Sequence, residues 1–95
     1  MVIEIVTFKL KSGVMPSTFA PIDKAVEQQH VAKQPGFISR QSAAGEGGEW
    51  LDIVHWKTSK DADASMASFM SAPTAQTFMS HIEPNTMSMT RYVQQ

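Results

Sequence analysis

Cysteine is absent from the 95 residues, which excludes disulfides, thiolate metal sites and a cysteine nucleophile, and agrees with a reducing, cytoplasmic setting. A surplus of either charge is missing as well, since eight Lys and Arg stand against nine Asp and Glu. That balance offers no basic field for a phosphate backbone and no acidic tail, so nucleic acid is not an expected partner. Long apolar runs are also lacking, and nothing approaches a membrane span. The opening MVIEIVTFKLKSG alternates, carries Glu4, and has neither a basic n-region nor a small-residue cleavage site. It reads as a strand, not a signal peptide. The expectation is a soluble, cytoplasmic, single-domain chain with no membrane or nucleic-acid partner. A chain this short buries only a little more than about 60% of the surface it exposes when unfolded, so its stability is marginal unless something else covers apolar surface.

What is present is periodicity. Residues 2 to 10 are rich in β-branched and aromatic side chains and stop at Ser12-Gly13, which predicts a first strand. Phe19, Ile22, Val26 and His30 recur at helical spacing, predicting a helix from about Pro16 to Gln34. Pro16 suits the first turn. Pro21 lies deeper, which predicts an irregular first turn or a later start. Gln34-Pro35-Gly36 ends the helix, Phe37 to about Ala43 alternates as a second strand, and a glycine-rich hairpin loop, Ala44 to Gly48, leads to a third strand over Trp50 to Lys57. Thr58-Ser59-Lys60-Asp61 has the form of a capping box, with Asp61 and Asp63 suited to the positive end of a helix. The apolar stripe Ala62, Met66, Phe69 and Met70 runs to Pro73, which closes one helical segment and opens another carrying Ala75, Phe78, Met79 and Ile82. After Glu83-Pro84-Asn85, Met87 to Val93 alternates as a last strand.

The order β-α-β-β-α-β is the ferredoxin-like, split βαβ pattern: an α+β fold in which a four-stranded antiparallel sheet carries both helices on one face. The other face should then be polar in a monomer. In the third strand Trp50, Val54 and Trp56 point one way and Leu51 and Ile53 the other, and the first strand likewise divides Val2, Val6 and Phe8 from Ile3 and Ile5. Both faces are apolar. Four strands of about seven residues present on the order of 400 Å², the patch size that marks an interaction surface. The expectation is a homodimer with the two sheets face to face.

KQPGF at the second strand, DIVHWKTSKDADASM from the third strand into an acidic helix start, and MSAPTAQTFM across the proline break resemble the dimeric α+β barrel superfamily, most of all the group named for antibiotic-biosynthesis monooxygenases. The resemblance spans nearly the whole chain. It implies the dimeric barrel and, among characterised members, either cofactor-free quinone-forming oxygenases or heme-degrading enzymes. The catalytic residues of those members do not carry over. The histidine or tryptophan that the family places on its second helix falls on Ser65 when counted forward from Trp56, or on Phe69 when counted back from Ala72-Pro73 with about one extra turn. The position of the family's second histidine holds Thr74, and residues 2 to 10 lack the asparagine of the heme-degrading members. His81 stands only approximately where their heme ligand does.

Read from the residues themselves, His30, His55 and His81 lie on three different elements and would converge only if His55 faced the helices. Such a cluster could hold a metal or a heme iron, but no local ligand spacing is present, and no metal or other cofactor is expected. The plainer reading is that His30 and His81 pack their rings at the edges of apolar stripes and hydrogen-bond outward. Asp52 and His55, three apart on a strand, point to opposite faces and form no dyad. Asp52 shares the tryptophan face, where a carboxylate needs a partner. Arg40 and Arg91 are the candidates, and an interior ion pair is the preferred reading over a general base. Met66, Met70 and Met79, with Phe69 and Phe78, could line a pocket for a flat apolar ligand or form ordinary core. The functional expectation is a small-molecule-binding protein whose pocket between helices and sheet takes an apolar or aromatic ligand through Trp56, His55, His81, His30, Met66 and Phe69. The alternatives are a cofactor-free monooxygenase using His55 or His81 as base, or a heme-binding or heme-degrading protein.

Overall fold

The computed structural model describes residues 1–95. Strand β1 (Val2–Lys9) leads through a turn to helix α1 (Pro16–Gln29) and a 3-10 turn (Val31–Lys33). Strands β2 (Phe37–Ala44) and β3 (Glu49–Trp56) form a hairpin, followed by α2 (Ser59–Phe69), α3 (Ala75–Ser80) and β4 (Ser88–Val93). The sheet is antiparallel throughout, in the order β2-β3-β1-β4. The two sequence-adjacent strands β2 and β3 lie side by side while β1 sits between β3 and β4. This is the ferredoxin-like arrangement read from the sequence pattern.

Local chemistry sets the element ends. Thr58 accepts the backbone N–H of Asp61 at 3.1 Å, capping α2 as its spacing implied. Pro73 lies between α2 and α3 and separates them. Gly36 has φ +82, and a Cβ there would lie 2.1 Å from Oδ2 of Asp61. The Pro-Gly-Phe turn therefore seats directly against the start of α2, and the Gly36 carbonyl accepts the N–H of Lys57 at 2.8 Å. In one respect the helix differs from expectation: α1 begins at Pro16 and continues through Pro21 without a later start. Pro21 and Ser17 are both exposed, so the carbonyl that loses its helical partner can be served by water.

Register fixes which side chains share a face. Glu4 pairs with Val54 and Arg91, Val6 with Asp52 and Met89, and Ser42 with Asp52. The helix-side face thus carries Val2, Glu4, Val6 and Phe8 of β1 beside Trp50, Asp52, Val54 and Trp56 of β3. On the opposite face Ile3, Ile5, Leu51, Ile53 and His55 are only half-buried, and no helix covers them. The core between helices and sheet is built around Phe8, Phe19, Phe78 and Trp50, whose rings meet edge to face, for example Phe8 on Phe19 at 5.7 Å and Phe19 on Trp50 at 5.0 Å. Each such pair adds about 0.5–1.5 kcal/mol beyond burial.

Helix α2 is rotated relative to the expected stripe. Ala62 and Ser65 face the sheet, with Phe69 packed against the same core, whereas Met66 and Met70 are 46% and 60% exposed. Small residues stand where the helix comes nearest the sheet, and the space next to them is not filled by the methionines.

Candidate functional site

That unfilled space is a cavity of about 280 Å³ between α2, α3 and the sheet. Its floor is the helix-side face of the sheet, with Glu4 and Val6 of β1, Arg40 of β2, Asp52, Val54 and Trp56 of β3, and Met89 of β4. Its roof is Ser65, Met66, Phe69 and Met70 of α2 with Phe78 and Met79 of α3. Most of the lining is apolar, with four polar exceptions: Glu4, Arg40, Asp52 and Ser65. An apolar enclosure with a few placed polar groups is the usual form of a small-molecule site, and a methionine-rich rim adapts to the shape of a guest.

Three of the four polar exceptions, Glu4, Arg40 and Asp52, belong to two networks. At one end Arg40 donates to Oδ1 of Asp23 at 2.6 Å and to the Asp23 carbonyl at 3.3 Å, and its guanidinium forms ion pairs with Oδ2 of Asp52 at 3.1 Å and Oε1 of Glu27 at 3.7 Å. Ser42 Oγ lies 2.5 Å from Oδ2 of Asp23 and 2.5 Å from Oδ1 of Asp52, and the Trp50 indole N–H donates to Oδ2 of Asp23 at 3.1 Å. At the other end Arg91 donates to Glu4 at 3.0 Å and also reaches Asp63, while the Trp56 indole donates to Glu4 at 3.4 Å. Arg40 and Asp52 side chains are 4% and 3% exposed, so their charges cannot be left to solvent.

The two carboxyls of the first network diverge. Burial pushes Asp23 upward, but the hydrogen bond from Asp52, the Arg40 charge and the bonds from Ser42 and Arg40 outweigh it and hold Asp23 below the ordinary carboxylate value. For Asp52 burial is again the largest influence, and here the bond with Asp23 and its negative charge push the same way. Against Arg40 and Ser42, Asp52 is pushed up to about 7. Ser42 has one O–H and can donate to one carboxylate only, so its short approach to both is satisfied when one of the two carboxyls carries a proton. The opposite directions of the two groups put that proton on Asp52, which donates to Ser42, and Ser42 to Asp23. One guanidinium and one proton thereby neutralise two buried carboxyls.

Of the side chains singled out from the sequence, Trp56, Met66, Phe69, Met70, Phe78 and Met79 line the cavity, with Arg40 and Asp52 on its polar wall, and so does each of the two positions, Ser65 and Phe69, that the family resemblance offered for a histidine or tryptophan. The three histidines do not line it and do not come together. His55 lies on the uncovered sheet face, where its Nδ1 meets Ser39 Oγ at 3.1 Å. His30 is buried beyond the end of α1, against the Ser65 carbonyl and Ser68 hydroxyl at 3.3 Å each. His81 turns its Nδ1 onto the Thr77 carbonyl at 2.7 Å and packs near Phe19. His30 and His81 thus serve as packed, hydrogen-bonded rings. Asp52 finds Arg40, one of its two expected partners, and Arg91 takes Glu4 instead.

Asp23 and Glu4 were missed as members of the site, although each left a signal. Asp23 follows Phe19 by four and precedes Val26 by three, which puts a carboxylate in the middle of the buried stripe of α1. Glu4 alternates in phase with Val2, Val6 and Phe8 and so shares their buried face.

No family model matches the chain and no curated protein matches it. Solved structures do. SnoaB, a cofactor-independent oxygenase from Streptomyces nogalater, superposes with a TM-score of 0.78 at 16% identity, covering 99% of this chain and 92% of that one. An antibiotic biosynthesis monooxygenase superposes with a TM-score of 0.76 at 11% identity, covering 99% and 98%. A conserved protein from Methanosarcina mazei Go1 does so with a TM-score of 0.73 at 14% identity, covering 100% and 94%. The chain has the fold of the antibiotic-biosynthesis-monooxygenase-like structures over its whole length.

Proposed function

We propose that this chain is a small-molecule-binding protein of the dimeric α+β barrel type that holds a flat apolar or aromatic ligand in the cavity between α2, α3 and the sheet. The observation that carries the reading is the cavity itself: about 280 Å³ of apolar space with Trp56 and Val54 on the floor and Phe69, Phe78 and Met79 above. Trp56, Met66 and Phe69 are its ligand contacts. Two copies pair through the uncovered sheet faces, bringing Ile3, Ile5, Leu51 and Ile53 out of water and placing His55 at the interface. The test is titration with naphthalene followed by calorimetry. Saturable binding is expected, together with its loss in Val6→Trp, which fills the cavity from the floor. Undiminished binding in a folded Val6→Trp protein would place the ligand elsewhere.

A cofactor-free oxygenase is the second reading, favoured by the likeness to SnoaB and by a carboxyl on the cavity wall that titrates near neutrality, the range suited to a general base. With no imidazole facing the cavity, the base in this reading is Asp52 and not His55 or His81. It would take a proton from a methylene flanked by aromatic rings. The carbanion would add O₂, and loss of water would leave a ketone. Oxygen consumption with an anthrone, abolished in Asp52→Asn, is the expected result. The same absence of a cavity-facing imidazole leaves a heme-ligating role for His81 without support.

A further inference from the structure

The polar wall of the cavity has two sides. Asp52 and Arg40 face inward, whereas Asp23, Ser42 and Arg40, with Trp50, Lys24 and Glu27, line a shallower groove on the outside, between α1 and the edge strand β2. Ser42 is exposed there. The chain Asp52–Ser42–Asp23, with both oxygen separations at 2.5 Å, therefore runs through the wall from the interior to the outer groove.

We propose that binding in the cavity is coupled to a proton: an apolar ligand enters together with one proton, which reaches the wall from the outer groove through Ser42 and comes to rest on Asp52. The inference rests on the ligand-binding reading above. An apolar guest excludes water from the inward side of Asp52, and an ionised carboxylate facing that guest loses its remaining solvation. Its guanidinium cannot make up the difference, because Arg40 already serves Asp23 and approaches Glu27. A proton can, and it completes the hydrogen bonding, since neutral Asp52 donates to Ser42 and Ser42 to Asp23. With the guest filling the cavity, the proton's route is the outer one: solvent in the groove gives its proton to Ser42 Oγ, and the serine passes a proton on to Oδ1 of Asp52. No other bond is made or broken.

The remaining charged groups around Asp52 are fixed. Glu4 on β1 is bound to Arg91 of β4, and that arginine to Asp63 of α2. From α1 come Asp23 and, through Arg40, Glu27. Helix α2 presents the neutral Ser65, whose carbonyl meets His30. Because burial and the neighbouring Asp23 push Asp52 up to about 7, uptake is observable at accessible pH.

Calorimetric titration with naphthalene at pH 6, 7 and 8, in two buffers of different ionisation enthalpy, tests the coupling. The expected result is proton uptake that grows from pH 6 to pH 8, with affinity falling by up to about tenfold per pH unit above 7. In Asp52→Asn, binding no longer changes with pH and no proton is taken up. Ser42→Ala, which removes the hydroxyl shared by the two carboxyls, shifts the pH at which uptake appears and Ser42→Thr restores it, which separates a hydrogen-bonding role from a packing role. Naphthalene binding that is independent of pH and buffer in the unmodified protein overturns the inference and leaves the ligand-binding reading standing. Uptake that persists in Asp52→Asn places the proton on another group and also overturns it. Absence of binding at every pH overturns both.

Discussion

The two faces of this sheet reverse the arrangement expected of a small domain. The face covered by helices holds Glu4, Arg40, Asp52 and Arg91, with Asp23 brought down onto it from α1, while the uncovered face offers Ile3, Ile5, Leu51 and Ile53 and no acid or lysine among the central positions of β1 and β3. Burying charge is costly and leaving aliphatic surface bare is also costly, so each face needs an explanation outside itself. For the covered face the explanation we propose is a ligand site: buried polar groups, mutually satisfied, beside an apolar cavity. For the bare face the explanation we propose is a second copy of the chain. The difference teaches that coverage and polarity together, not polarity alone, separate chemistry from assembly in this fold.

The comparison is broken most forcefully at Arg40. Arg40→Met leaves Asp23 and Asp52 buried without their shared cation, and the expected loss is about 3–5 kcal/mol of unfolding free energy in urea titrations. A loss within about 0.5 kcal/mol would mean that the cluster is far more hydrated than its geometry indicates. On the bare face, Ile53→Glu sets two carboxylates into the proposed sheet-to-sheet contact. Light scattering at micromolar concentration is expected to show a dimer for the unmodified chain and a monomer for this variant, whereas a monomer in both cases would remove the dimer from the account.

The most gradual effect is a slope. Asp52 ionises near 3.8 in the unfolded chain and near 7 when folded, so between these values the folded state holds more protons. Stability therefore falls as pH rises from about 4 to about 7, by up to about 1.4 kcal/mol per unit, and the effect of this group levels off above that. Asp23, held below its ordinary value, works in the opposite sense at lower pH: its contribution is present above 3.8 and is lost as pH falls through the folded value. Asp52→Asn should flatten the profile between pH 5 and 7 and leave the acid limb in place.

Much of this was legible in the sequence. Thr58 announced the start of α2, Pro73 the break before α3, and the alternation of β1 and β3 both faces of the sheet, because caps, prolines and period-two patterns act through neighbours in the chain. The opposite orientation of Asp52 and His55 followed from their spacing alone. A pocket between helices and sheet, lined by Met66, Phe69, Met70, Phe78 and Met79, was legible as one of two readings of their apolar stripe; what was not legible is what keeps it from closing into ordinary core. It depends on α2 turning Ala62 and Ser65 toward the sheet and leaving Met66 and Met70 at the rim, a rotation set by packing that the hydrophobic stripe does not encode. Nor was the pairing of Asp52 with Arg40 and of Glu4 with Arg91, since strand register decides which charges meet across a sheet. Asp23 was the avoidable omission, a charge in the middle of a buried helical stripe.

The methionines give the most direct measurement of the central claim. Five of the seven, Met66, Met70, Met79, Met87 and Met89, line the cavity, and Met1 and Met15 do not. In methyl NMR spectra of methionine-labelled protein titrated with naphthalene, the ring current of a bound guest should shift the ε-methyl signals of those five in a saturable way and leave Met1 and Met15 in place. Uniform shifts across all seven, or none at saturating naphthalene, would contradict a ligand site beneath α2 and α3.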